Sequence, residues 1–374
     1  MTLKGRCEMS NQNVASGKKR KGAGCLRWLG RVALGGVILL LVLVATGAIY
    51  QGIASARDAK LYKPVDQMVD VNGIQMRLDC RGAGSPTVVL EAGAQSHSIH
   101  WWQVQDEVAK FTRVCSYDRP GYGWSDPVPD MSSSQQVAEI LHELLEVAGE
   151  GPPYLMVGHS MGGVFVRAFA AEYPEEVVGM VLVDSSHEQQ NLRYPPEFEE
   201  VATLQTELAN KSLPILQGAA TLGLLRVSGY LEPNFTFLGM PDDQREPVLA
   251  QFYRSGFYGA MKREAALGEF CLSQPGELKS LGDMPLIVLS AGQDAREMYE
   301  AMVIYEPYLD SPSQLTLQVV QQYVATMDEN QDELAALSTR GKRIIVKDSG
   351  HFIQLDQPQV VIDAIREVFE QVSR

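Results

Sequence analysis

Between Val32 and Ala56 the chain has no Asp, Glu, Lys or Arg in 25 residues. Metal-ligand patterns are also missing. The five cysteines, at 7, 25, 80, 115 and 271, form no CxxC pair, and no cluster of the six histidines accompanies them, which excludes a zinc site of ordinary spacing. Internal repeats and low-complexity tracts are absent from the body. A basic surface is lacking too: the chain carries −14 overall, residues 1–31 hold +7, and residues 32–374 therefore hold −21. A body that acidic repels phosphate backbones and disfavours a nucleic-acid partner.

What is present begins with the uncharged stretch. VALGGVILLLVLVATGAIY at 32–50 is nearly all apolar. A helix rises 1.5 Å per residue, so about 20 residues cross the ~30 Å hydrocarbon core. The spacing predicts a transmembrane anchor over 32–56, a basic leader over 1–31 on the cytoplasmic side, and the body on the extracytoplasmic side. A cleaved signal peptide is the alternative, but a 31-residue polar leader is long for that role. Cys80, Cys115 and Cys271 then face an oxidising compartment, where a disulfide persists.

After a linker over 57–67, strand patterns fall at 67–71, 74–80, 87–91, 113–118, 154–157, 177–184, 286–290 and 343–347, and Asn72-Gly73 predicts a hairpin between the first two. Helical periodicity marks 101–110, 133–148, 160–172 and 360–372. Strands followed by crossover helices imply a mostly parallel α/β sheet covered on both faces. Residues 185–284 interrupt this alternation with helical segments near 199–211, 213–227, 242–255 and 257–271. A hundred residues is too long for a loop in a compact domain, so they are expected to form a helical cap on a core of 68–184 and 285–374. The uncharged segment LPILQGAATLGLL (213–225) either packs in that cap or dips toward the bilayer.

Gly158-His159-Ser160-Met161-Gly162, with Gly163 following, stands directly after the apolar run YLMV and before the helical run VFVRAFAAEY. A serine hydroxyl becomes a nucleophile when it is exposed, aligned with a base and faced by an oxyanion hole. A sharp strand-to-helix turn supplies the exposure, and helix N–H groups meet the developing charge. Together with Tyr117-Asp118-Arg119-Pro120-Gly121-Tyr122-Gly123-Trp124-Ser125-Asp126, which resembles the DRxGxGxSD loop, this motif makes the chain from about residue 68 onward resemble the α/β-hydrolase superfamily, in its serine-nucleophile, esterase- or lipase-like branch. The resemblance implies an eight-stranded, mostly parallel sheet with helices on both faces. It implies Ser160 as nucleophile and His351, in Asp348-Ser349-Gly350-His351-Phe352, as base. Asp294, in SAGQD after PLIVL, is the favoured acid, with Asp184 at the end of VVGMVLVD as the alternative. The backbone N–H groups of Met161 and Ala94 are the expected oxyanion donors, although Ala92 stands where that family often has His. The second and fourth strands are neighbours in this fold, so a Cys80–Cys115 disulfide is implied as well.

His97, His100 and His187 are candidates for the mouth of the site, and His159 for a structural neighbour of the nucleophile. The cap aromatics Tyr194, Phe198, Tyr230, Phe235, Phe237, Phe252, Tyr253, Phe257 and Tyr258 are candidates for an apolar wall. The expected activity is cleavage of a carboxylic ester, thioester or amide through an acyl-enzyme, with no metal or organic cofactor. The substrate is a small or lipid-like acyl compound. Acyl transfer on the same fold and a non-catalytic binding protein are the alternatives, and the sequence carries no sign of oligomeric state.

Overall fold

The computed structural model describes residues 22–63, 67–128, 131–231, 242–272, 278–308 and 314–373. Helix α1 (Gly22–Leu61) is long and apolar enough to cross a membrane by length and composition. It continues past Ala56 to Leu61 and so takes the first part of the segment expected to be a linker. Among the contacts at this end of the helix, Asp58 pairs with Arg226 at 2.5 Å, and the Tyr62 carbonyl just beyond it accepts from Trp124 Nε1 at 3.0 Å.

Eight strands follow: β1 (Gln67–Val71), β2 (Ile74–Arg81), β3 (Thr87–Glu91), β4 (Val114–Tyr117), β5 (Tyr154–His159), β6 (Val177–Val183), β7 (Leu286–Ala291) and β8 (Gly341–Val346). They form one sheet in the order β1-β2-β4-β3-β5-β6-β7-β8, parallel except at β1–β2 and β2–β4. Asn72 (φ 53°) and Gly73 (φ 84°) make the hairpin turn, which needs positive φ at both positions. Cys80 and Cys115 are directly paired across β2–β4, with Cα atoms 4.1 Å apart, and are joined by a disulfide.

The central strands are apolar on both sides because helices cover both faces. Val89, Met156, Met180 and Leu182 point into one layer, with Leu141 and Leu144 of α3 (Ser134–Ala148) and Phe169 of α4 (Met161–Glu172). Their neighbours Val88, Leu155, Val157 and Val181 point into the other. There they meet Val104 and Val108 of α2 (Trp102–Val108), Ile353 of α11 (Ile353–Asp356) and Ile365 and Val368 of α12 (Pro358–Val372). Each such side chain contributes about 1.5–3 kcal/mol on full burial.

Between β6 and β7 lie α5 (Pro196–Thr221), α6 (Leu224–Ser228), α7 (Asp242–Phe252) and α8 (Ser255–Cys271), with no strand among the described residues. The break expected near residue 212 does not occur: α5 runs through Pro214 and ends at Thr221. Helices α9 (Ala295–Val303) and α10 (Leu317–Ala335) join β7 to β8 and have no counterpart in the sequence expectation. Phe198 and Val201 of α5 pack with Met302 of α9 and Val320 of α10, so this connection supports one end of the helical insertion.

Candidate active site

From β3 the chain steps sideways to β4 and then returns to the opposite side of β3 for β5. The carboxyl ends of β3 and β5 therefore flank the point where the winding reverses, the place where open α/β sheets form their sites. Ser160 sits there, between β5 and α4, at φ 53° and ψ −124°. A non-glycine residue is strained in that region and persists only where its surroundings hold it. Ser160 N donates to Val183 O, and Ser160 O accepts from Gly163 N and Ser186 N, all at 3.0 Å. The turn also requires bare backbone on either side. A Cβ at Gly158 would lie 2.5 Å from Gly162 O, and one at Gly162 would lie 2.5 Å from Ala92 O.

Those approaches bring the loop after β3 against the elbow. A Cβ at Gly93 would lie 3.1 Å from Ser160 Cβ and 2.7 Å from His159 Nδ1. Ala94 follows in that loop, and Met161 is the first residue of α4.

His351 lies in the loop between β8 and α11. Its Nδ1 is 2.6 Å from Asp184 Oδ2, and its ring centroid is 4.6 Å from that of His159, the residue before Ser160. Asp184 follows β6, is buried, and accepts from Ala291 N at 2.9 Å through its other oxygen. The carboxylate accepts, so Nδ1 carries the hydrogen and Nε2 keeps its lone pair. His159 Nε2 is 2.8 Å from the His351 carbonyl, which can only accept, so His159 is the Nε2–H tautomer and anchors the loop that carries His351. Burial, then the neighbouring His351, push the His159 pKa well below its ordinary value and keep it neutral.

Asp294 is placed differently from the sequence expectation. It caps α9, accepting from Arg296 N at 2.7 Å and Glu297 N at 3.1 Å, and is exposed. It borders a cavity of about 470 Å³ that also includes Asp184, Arg343 and Lys347, and its Oδ1 is engaged by its own helix. Both acids precede His351 and follow Ser160, so chain order alone does not separate them. The run Asp294-Ala295-Arg296-Glu297 is also an N-terminal helix signal, an acid followed three residues later by Glu, so this residue has a second use; the coordinates separate the two acids.

The histidines expected at the mouth divide. His97 is buried, 3.5 Å from Asp118. His187 turns toward Glu333, 3.4 Å away. His100 is the one next to the His351 loop, stacked on Phe352 at 5.6 Å with Nδ1 2.6 Å from Ser96 Oγ, and burial pushes its pKa down to about 3. Among the aromatics of the insertion, Phe252 and Phe257 reach His97, while Tyr194 and Phe198 pack on Tyr323. Phe235 and Phe237 lie outside the described residues.

The loop around Asp118 is held by its own bonds. Ser98 Oγ donates to Asp118 Oδ1 at 2.6 Å, and Ser125 Oγ donates to the Asp118 carbonyl at 2.6 Å. Arg119 does more than the sequence motif indicated. Fully buried, it donates to Glu91 at 2.5 Å, to the carbonyls of Ala92 and Gly93 at 2.7 and 2.6 Å, and to Glu264 of α8 at 2.8 Å. Glu264 also accepts from Gln95 N and from Tyr122 Oη. One guanidinium thus ties the loop after β3 to both the sheet and the helical insertion. The signal was Glu91 itself, a carboxylate ending the buried strand TVVLE, which demands a cation.

Residues 88–364 match the family described as the alpha/beta hydrolase family. The chain belongs to the alpha/beta hydrolase family. An uncharacterized protein of Schizosaccharomyces pombe is 27% identical over 335 residues, covering 81% of this chain and 57% of its own length. An uncharacterized vacuolar membrane protein of Saccharomyces cerevisiae is 38% identical over 108 residues, 28% of this chain and 17% of that one. This alpha/beta hydrolase chain thus spans little more than half of the first of these relatives and less than a fifth of the second. Among solved structures, Est816, described as an N-acyl homoserine lactone degrading enzyme, superposes with a TM-score of 0.53 at 18% identity, covering 80% of this chain and 99% of its own. At that identity the likeness is one of fold.

Proposed function

We propose that this alpha/beta hydrolase is a serine hydrolase that cleaves a carboxylic ester through an acyl-enzyme, with Ser160 as nucleophile, His351 as base and Asp184 as the acid that orients it. The observation that carries the reading is the 2.6 Å contact of His351 Nδ1 with a buried carboxylate, made beside a serine held in an elbow conformation. His351 Nε2 takes the hydroxyl proton as Ser160 Oγ attacks the acyl carbon. The N–H groups of Met161 and Ala94 receive the oxyanion, and Asp184 stabilises the imidazolium. His351 then returns the proton to the leaving alcohol, and a water activated by the same ring clears the acyl group. A serine at this elbow separates the chain from relatives of the fold that use Asp as nucleophile.

Residues 185–284 act as the cap over this site, and α1 anchors the protein in a membrane. The basic residues before Val32 place the N-terminus on the cytoplasmic side, and the catalytic body lies across the bilayer. The disulfide supports an oxidising location for the body, and the vacuolar membrane relative supports a membrane setting.

The test uses the full-length protein in detergent. A fluorophosphonate probe is expected to label the wild type and not Ser160→Ala; equal labelling of both would remove Ser160 from the mechanism. Turnover of acyl esters in the presence of competing alcohols then separates hydrolysis from acyl transfer by the product formed.

A further inference from the structure

Helix α1 does not leave the membrane and hand over to a separate body. Its outer end is packed into the cap. Gln51 is buried and donates to the Tyr253 carbonyl at 2.7 Å. A Cβ at Gly47 would lie 2.7 Å from the Leu222 carbonyl, and one at Gly223 would lie 2.9 Å from the Tyr50 ring, so the two backbones meet where side chains are smallest. The joint between α5 and α6 is therefore fixed at the level of residues 47–51 of α1.

That level can be set against the bilayer. With Arg31 at one headgroup layer, a ~30 Å core takes up about 20 residues of helix and ends near Gln51. Leu222, against Gly47, then lies level with the last turn of the span, at the outer edge of the hydrocarbon.

The surface presented there is apolar. Ile215 (73% exposed), Leu224 (55%), Val227 (72%) and Tyr230 (59%) point away from the protein, while Leu213, Ala220 and Leu225 of the same segment are buried in the cap core. From Ser212 to Tyr230 the one charged residue is Arg226, and it is spent inward, on Asp58 at 2.5 Å and over the Tyr253 ring at 4.4 Å.

We propose that the C-terminal turns of α5 and the short helix α6 lie in the outer interface of the same bilayer that α1 crosses, so that the cap is moored to lipid as well as to the anchor. This rests on the reading of α1 as a spanning helix. An apolar face with a tyrosine beside it fits a depth of about 5–10 Å at the boundary between headgroups and acyl chains. The occupant is the bilayer because the anchor fixes this face at its height; a protein partner is the competing outcome.

The experiment places a solvatochromic fluorescent amino acid, one position at a time, at 215, 227, 40 and 345 of the full-length protein in nanodiscs. The lipids carry bromine on their acyl chains or do not. All four positions are exposed, Leu40 within the span and Ile345 on β8 at the edge of the sheet, and unchanged thermal unfolding of each form confirms the fold. The expected result is blue-shifted emission and loss of intensity in brominated lipid at 40, 215 and 227, and neither at 345. Quenching at 40 with water-like emission at 215 and 227 overturns the mooring and leaves the anchor standing. Absence of quenching at 40 removes the anchor reading, and the mooring falls with it.

Discussion

The Asp184 carboxylate and the His351 imidazole, 167 residues apart in the chain, lie 2.6 Å from one another. The path between them runs across three adjacent strands: Asp184 follows β6, β6 pairs with β7, and β7 pairs with β8, after which His351 comes. With its second oxygen on Ala291 N, this carboxylate has one position for the ring and no freedom to turn from it.

The two acids are accordingly expected to behave in opposite ways. Asp184→Asn keeps the shape but presents an amide to Nδ1, which favours the wrong tautomer; kcat should fall by roughly 10³–10⁴-fold, with KM for a soluble ester little changed. Asp294→Ala should leave kcat within about twofold and lower stability by about 1 kcal/mol through loss of the α9 cap. Steady-state kinetics with denaturant unfolding checks both. A large loss of kcat in Asp294→Ala, with Asp184→Asn active, would return the role to the acid after β7.

Most of the sheet was legible because its strands are short apolar runs closed by turn residues. Val88, Val89 and Leu90 of β3 show the pattern: the run is too short for a helix, and its β-branched residues favour a strand. The elbow was legible because its glycines at 158 and 162 are required: a Cβ at either would lie 2.5 Å from a backbone oxygen. Less was readable where a side chain had two uses. Asp294 satisfies both chain order and helix capping, and only the coordinates show that Arg296 N and Glu297 N have claimed it. Helix α10 was missed because its buried positions, Val320, Asn330, Gln331 and Leu334, include two amides that blur the apolar period. Arg119 stands in the DRxGxGxSD-like loop, and no local pattern reveals its partner Glu264, 145 residues away on a helix of the insertion.

That partnership gives a stability prediction. Arg119→Met would leave Glu91 and Glu264 buried without their cation, and breaking a buried ion pair from one side costs about 3–5 kcal/mol. Burial already raises the Glu91 pKa above its usual range, even with Arg119 beside it. The expected outcome is a large drop in the denaturation midpoint. Glu264→Gln, which keeps an acceptor oxygen for Gln95 N and Tyr122 Oη, should lose less. Equal midpoints for wild type and Arg119→Met would mean that the guanidinium does not hold the loop.

The buried histidines set an acid limit on stability. His100 has its pKa pushed from 6.5 to about 3, first by burial and then by His97. Between those values the unfolded chain binds a proton that the folded chain does not, so stability falls as pH drops below about 6.5, by up to about 1.4 kcal/mol per pH unit. His159 acts in the same direction. Urea unfolding at pH 7, 6 and 5 should show His100→Gln losing less stability across that interval than the wild type. Parallel curves would show that His100 is not the group responsible.

The disulfide stands where the antiparallel and parallel parts of the sheet join. Cys80 belongs to β2, paired antiparallel with β4, and Cys115 belongs to β4, which runs parallel to β3. Closing 35 residues of chain, which include β3, α2 and the loop carrying Ala94, restricts the unfolded state, and such a bond contributes about 2–4 kcal/mol. Of the five cysteines, three should react with a thiol reagent in denaturant without reductant, and five after reduction. Cys80→Ala with Cys115→Ala should unfold at lower urea while Ser160 still takes a fluorophosphonate, because the pair ties β2 to β4 and touches none of the reacting groups. Five reactive thiols before reduction would mean that the body is not exposed to oxidant, and the assignment of the basic N-terminus to the cytoplasmic side would lose its independent support.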